Sequence, residues 1–237
     1  MNPYEKLLNR KRKWTPVQTT AGTCREGAEE AILRALALRN LELPVGGFIR
    51  DGLATDVPKL SRELLESNVT DEENHDLALG YIANAYGVDK KAESEALRLR
   101  EAWTSHPDHT ILKAMVAERA IFFVLLPFFR FNGDAGMRTV SADISRDEQI
   151  HVAANSLVCR ELGLTVSPSL DKLRKATINW VMQPLGSNTD KYLDKKFWLD
   201  SSDRLMYEGK APELSDTKAA RMPAFFEHSN VNLPQYA

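Results

Sequence analysis

Apolar residues recur along this chain at three- and four-residue intervals, and the strict alternation that marks strands never persists beyond a few positions. Ala28, Ile32, Ala35, Glu42 and Ile49 share one face of a helix predicted over 25–50. Leu60, Leu64, Glu72, His75, Leu79, Ile82 and Tyr86 share one face of a second, over 58–87. Thr70 and Glu73 have capping-box spacing, which would start a new helix at 70. The apolar stripe keeps its phase across 68–70, so the helix is read as continuous. A polar helix over 89–104 follows, and Pro107 and Asp108 open the next. That one carries Ile111, Met115, Glu118, Phe122, Leu125 and Phe129 on one face until "NGDAG" at 132–136 breaks it. Val140, Ile144, Glu148, His151 and Val158 line another, which stops near "LGLTVSPS" at 162–169. Two more helices are expected over 170–184 and 190–208, and Pro212, Pro223 and Pro234 mark an extended tail. The expectation is an all-α chain with no internal repeat: an N-terminal arm over 1–24, a helical domain over 25–207 and a tail over 208–237.

Each of the four long helices places one acid on its apolar face: Glu42, Glu72, Glu118 and Glu148. Burying an unpaired carboxylate is expensive, so four of them need a common reason. Two belong to Glu-x-x-His pairs, Glu72 with His75 and Glu148 with His151, in a chain that has five histidines. Roughly 0.4 such pairs are expected by chance from the frequency of glutamate. Counted from the turns, the acids also match in level. Glu118 and Glu148 lie on either side of "NGDAG", and Glu42 and Glu72 on either side of a break near 57. Each lies roughly 21–24 Å from its turn along a helix rising 1.5 Å per residue. Two antiparallel hairpins would bring four carboxylates and two imidazoles to the centre of one bundle. This is the dinuclear carboxylate arrangement of ferritin-like proteins. Spacing of i,i+3 lets Glu and His reach one ion, and two divalent ions offset four carboxylates. A ligand set rich in carboxylate and poor in nitrogen suits iron or manganese. The competing reading is a plain helical bundle whose acids are exposed and whose histidines are incidental.

Composition narrows the function further. A net charge of −2 and a pI near 6.2 give no reason to expect nucleic acid or an anionic membrane as partner. "NRKRKW" at 9–14 reads as part of a solvated arm. Cys24 and Cys159 are far apart, which argues against a zinc ribbon or disulfide framework and fits a reducing cytoplasm. The apolar run "AIFFVLLPFFRF" at 120–131 is too short to span a bilayer and carries Arg130, so a soluble cytoplasmic protein is expected. His106, His109 and His228 fall in loop or tail contexts and read as surface residues.

"ISRDEQIH" at 144–151 resembles the Arg-Asp-Glu-x-x-His signature of the radical-generating small subunit of class I ribonucleotide reductase. "ERAIFFVLL" at 118–126 is similar to that family's third ligand helix, in which bulky aromatics follow the metal-binding Glu. The resemblance covers roughly 35–160. It implies that Glu42, Glu72, His75, Glu118, Glu148 and His151 bind two metal ions, Fe or Mn or both. It implies also that Phe122 lines the pocket facing oxygen, and that Asp147 orients a ligand His and belongs to the radical-transfer route. Such a subunit activates oxygen, stores one oxidising equivalent and passes it to a separate large subunit that reduces ribonucleotides. No phosphate-cradling Gly-rich loop occurs in this chain itself. The resemblance further implies a homodimer and docking of the large subunit on the C-terminal tail, with Tyr236, or else Tyr207, as a radical relay.

Three departures stand out. The interval from Glu72 to Glu118 is shorter than in that family by about forty residues, the first ligand is Glu42 where many members have Asp, and Leu79 occupies the place of the usual radical tyrosine. Tyr81 or Tyr86 would have to replace that tyrosine, or the metal pair itself would store the oxidation. A stand-alone diiron oxygenase is the strongest alternative. A ferritin-like iron-storage or oxidase shell and a metal-free helical scaffold are the others.

Overall fold

The computed structural model describes residues 2–55 and 57–214. Among them there is no strand, and ten α-helices carry the chain: α1 (Pro3–Leu8), α2 (Glu29–Ala37), α3 (Glu42–Leu53), α4 (Arg62–Tyr86), α5 (Lys90–Ser105), α6 (Thr110–Ala117), α7 (Phe123–Asn132), α8 (Ala135–Glu161), α9 (Pro168–Met182) and α10 (Lys195–Glu208). The all-α expectation holds, and α4 is continuous through residue 70. Helix α3 packs on α4 and α6, while α8 packs on α4, α6 and α7. The four elements α3, α4, α8 and α6–α7 therefore close into a bundle. Helices α2, α5, α9 and α10 wrap its outside, and one continuous apolar core runs through both layers. No described helix is long and apolar enough to cross a membrane.

Local chemistry sets the boundaries. Asp134 accepts a hydrogen bond from the Met137 N–H at 2.9 Å and caps α8, and Ser167 caps α9 ahead of Pro168. Between α7 and α8 only glycine fits at position 133. A Cβ there would lie 2.6 Å from the Phe129 carbonyl oxygen and 2.7 Å from the Met137 Cβ. Gly46 has a different use. A Cβ at that position would lie 3.2 Å from the Glu72 Cβ, so its absence lets α3 approach α4 closely at the level of the buried acids.

Several expectations are corrected. The helix foreseen over 25–50 is two helices, because a 3-10 turn over Leu38–Leu41 re-aims the chain just before Glu42. Residue 107 does not open a helix; α6 starts at Thr110, with the His109 imidazole capping it by accepting from the Ile111 N–H at 3.2 Å. His106 is likewise half-buried, its Nδ1 accepting from the Asp108 N–H at 3.3 Å, so neither histidine is a plain surface residue. His228 lies outside the described residues, as do Tyr236 and the tail from 215 onward.

The N-terminal arm departs most from expectation, because it is only partly solvated. Asn2 and Glu5 form a reciprocal capping box that starts α1. Tyr4 and Leu7 are buried against α4 and α8, with the Tyr4 hydroxyl donating to Glu161 at 2.8 Å. Burying two such side chains is worth a few kcal/mol, on the order of 1.5–3 each, enough to hold a six-residue helix that would not form alone.

Candidate metal centre

Glu118 begins a π-helical turn, Glu118–Phe122, between α6 and α7. Such turns insert one extra residue into a helix and concentrate at functional sites. Phe122 lies on this turn and is buried. The other acids come from the ends and middles of regular helices: Glu42 opens α3, Glu72 and His75 face inward from α4, and Glu148 and His151 do so from α8. All six side chains are at most 3% exposed.

Two overlapping sets of candidate ligands result. His75 Nδ1 lies 3.9 Å from Glu42 Oε2, 3.6 Å from Glu72 Oε2 and 3.4 Å from Glu148 Oε1. His151 Nδ1 lies 2.9 Å from Glu72 Oε1, 3.9 Å from Glu118 Oε1 and 3.8 Å from Glu148 Oε1. Glu72 and Glu148 are therefore common to both histidines, whereas Glu42 belongs to His75 alone and Glu118 to His151 alone. One ligand atom from each of Glu72, His75, Glu148 and His151 falls within 4.8 Å of all the others. The two imidazoles stack at 5.6 Å.

Each histidine is held from behind by an aspartate of the opposite helix. His75 Nε2 lies 3.3 Å from Asp147 Oδ2, and His151 Nε2 lies 2.9 Å from Asp71 Oδ2. With the Nε2 proton turned outward to a carboxylate, the Nδ1 lone pair faces the cluster. Both Nδ1 atoms, both oxygens of Glu72 and of Glu148, Glu42 Oε2 and Glu118 Oε1 are buried with no hydrogen-bond partner. So many inward-facing orphans in one place fit a bound cation pair, since buried polar atoms are otherwise satisfied. Asn155 donates to Glu118 Oε2 at 2.7 Å, which leaves Oε1 as the inward oxygen.

The protonation pattern says the same. Burial, with the Glu72 charge beside it, pushes Glu42 well above the usual carboxylate range, and burial next to Glu148 does so for Glu118. Burial also raises Glu148. Burial acts upward on Glu72 too, but the two imidazoles outweigh it and hold this carboxyl low. Burial would lower both histidines; the nearby carboxylates of Asp147 and Glu148 override it at His75, and those of Asp71 and Glu72 push His151 up to about 10. Without metal the cluster thus stores protons where cations would sit.

The structure brings together all six ligands read from the sequence, and Asp147 with them. Tyr207 is not among them: it is exposed on α10 and donates its hydroxyl to Asp171 at 2.6 Å. Leu79 is buried, and Tyr86 is hydrogen-bonded to Cys24. Five residues escaped the sequence reading: Asp71, Asn155, Lys11, Arg12 and Trp14. A signal for Asp71 was present, because "DEENH" and "DEQIH" share Asp-Glu-x-x-His and not merely Glu-x-x-His. For the arm there was none. Its Trp14 indole donates to Asp147 Oδ2 at 2.6 Å, and Arg12 Nε lies 3.7 Å from Asp147 Oδ1. Lys11 is paired with Asp71.

No protein-family model, no curated protein and no solved structure matches this chain. Geometry alone therefore carries the assignment. The buried carboxylates and imidazoles form a set that can hold a dinuclear metal centre.

Proposed function

We propose that the chain is the metal-bearing small subunit of a class I ribonucleotide reductase system, built on a ferritin-like bundle. In this reading two ions of iron, manganese or one of each are held by Glu42, Glu72, His75, Glu118, Glu148 and His151. When bound, they supply oxygen activation and one stored oxidising equivalent. The protein's part is to place the ligands, keep the site dry with buried groups such as Phe122 and Leu79, and lead the equivalent out.

One observation favours export over oxidation of a bound substrate: the hydrogen-bonded chain from His75 through Asp147 to Trp14. It spans 3.3 Å and 2.6 Å between heavy atoms and ends in an indole that is only partly buried. Indole is among the most readily oxidised side chains, and its ring stacks 6.2 Å from that of His75. Asp147 can accept the indole proton as the electron leaves, which keeps the step free of charge separation. A homodimer and a large catalytic subunit, recruited by the C-terminal tail, complete the proposal.

The test combines metal analysis with turnover. Protein prepared with iron and manganese should carry two ions per chain and support deoxyribonucleotide formation with a large subunit. Trp14→Phe should keep both ions and lose turnover. Oxidation of a small substrate by the chain alone, with no help to a large subunit, would assign it instead to the stand-alone oxygenases.

A further inference from the structure

The two Asp–His pairs behind the metal ligands are related by position but are closed by chemically different groups. On the His75 side, Asp147 accepts from a neutral indole, and Arg12 lies 3.7 Å from its other oxygen. That guanidinium is largely engaged elsewhere, with Asp143 Oδ1 at 3.0 Å and the Asp143 carbonyl at 2.6 Å. On the His151 side, Asp71 is paired directly with the Lys11 ammonium through Oδ2, the same oxygen that accepts from His151. Lys11 also donates to Asn68 Oδ1 at 2.9 Å, and its side chain is only 10% exposed. Charge balance shows why the arm matters. Four glutamates and two aspartates carry six negative charges, two divalent ions would supply four positive ones and Lys11 a fifth, while Arg12 is shared between Asp143 and Asp147.

We infer that Lys11 is a positioning residue that makes the two halves of the metal centre unequal, weakening cation binding in the His151–Glu118 half. The inference rests on the dinuclear reading above. Two effects act in the same direction. The ammonium competes for Asp71 Oδ2, so Asp71 pulls less on the His151 Nε2 proton and Nδ1 becomes a poorer donor. Its full charge also repels a cation bound nearby, with little solvent to screen it. The His75–Glu42 half lacks such a partner and is therefore the half that favours the higher metal charge, and it is the half joined to Trp14.

Manganese(II) titration calorimetry on the metal-free full-length chain tests this. Two binding steps are expected for the natural protein. Lys11→Met should tighten one step by about tenfold and leave the other unchanged, the scale of removing one elementary charge from the neighbourhood of a divalent ion. Lys11→Arg should restore the natural values. In a Glu42→Gln background, where the His151 half is the intact one, the tightening should persist; in a Glu118→Gln background it should vanish. A residue that merely braced the fold would weaken binding on removal, the opposite sign. Weakened or unchanged steps in Lys11→Met would overturn the inference and leave the metal centre standing. No manganese uptake by the natural protein would overturn both. Should Lys11→Met fail to fold, Lys11→Gln removes the same charge while keeping a polar partner for Asn68, and the same outcomes decide.

Discussion

Glu72 and Glu42 are both metal ligands in this reading, yet in the metal-free protein their surroundings push the two carboxyls in opposite directions, and conversion of each to glutamine should separate them. Glu72 is held low by two imidazoles and so is ionised, 2.9 Å from His151 Nδ1 and 3.6 Å from His75 Nδ1. Its closest ion-pair contact to the positively charged His151 is fully buried. Removing one partner of a buried pair costs about 3–5 kcal/mol, because the other charge stays buried. Glutamine keeps the shape and one acceptor oxygen, which places Glu72→Gln near the lower end, about 3 kcal/mol. Glu42, by contrast, is raised by burial and by the Glu72 charge, and its nearest imidazole nitrogen is 3.9 Å away. Raised in this way it gains less from its ionised form than Glu72 does, so Glu42→Gln should cost less, under about 1 kcal/mol. The assay is urea unfolding of metal-free protein in chelator at pH 7. With a slope of about 3 kcal/mol per molar for a chain of this size, the Glu72→Gln midpoint should fall by about 1 M and the Glu42→Gln midpoint by a third of that or less. Metal binding should suffer in both, in the His75 half alone for Glu42→Gln and in both halves for Glu72→Gln, since Glu42 faces one histidine and Glu72 both. Equal destabilisation by the two substitutions would refute the opposite shifts of the two carboxyls.

Metal-free protein should lose stability as pH rises from 6 to 9. His151 is raised from its unfolded value of about 6.5 to about 10, so its contribution is complete below about 6.5 and is lost as pH climbs through about 10. Glu42 and Glu118, also raised, contribute with the same sign, whereas Glu72, held low, acts only in strong acid. Thermal melts at three pH values check this, and a midpoint that rises with pH would contradict it. Bound divalent ions should flatten or reverse the trend, because they replace the stored protons. Electron paramagnetic resonance after oxygen activation should show the oxidation on the metals and no tyrosyl signal, since Leu79 is not oxidisable and Tyr86 is tied to Cys24. A tyrosyl signal that disappears in Tyr81→Phe or Tyr86→Phe would identify another carrier. Deleting residues 225–237 should leave metal loading intact and abolish turnover with the large subunit; full turnover by the shortened chain would dispose of the docking role.

What the sequence by itself determined is the part governed by local repetition. Apolar spacing of three and four residues fixed the helical class and carried α4 through Thr70, and the same spacing set Glu beside His on α4 and α8. Counting residues from the turns was enough to level the four glutamates, because a helix rises by a constant amount per residue. Tertiary structure decided what local repetition does not encode. The 3-10 turn before Glu42 and the π turn at Glu118 are departures from a regular helix, and each sits at a candidate ligand. The exchange of aspartates, Asp71 to His151 and Asp147 to His75, exists only once α4 and α8 face each other. The arm is the clearest case. "KRKW" at 11–14 is as polar as any solvated terminus, and its partners Asn68, Asp71, Asp143 and Asp147 lie more than fifty residues away. A cation's tendency to stay in water or to bury itself depends on the carboxylates it meets there, and only the folded chain brings them within reach.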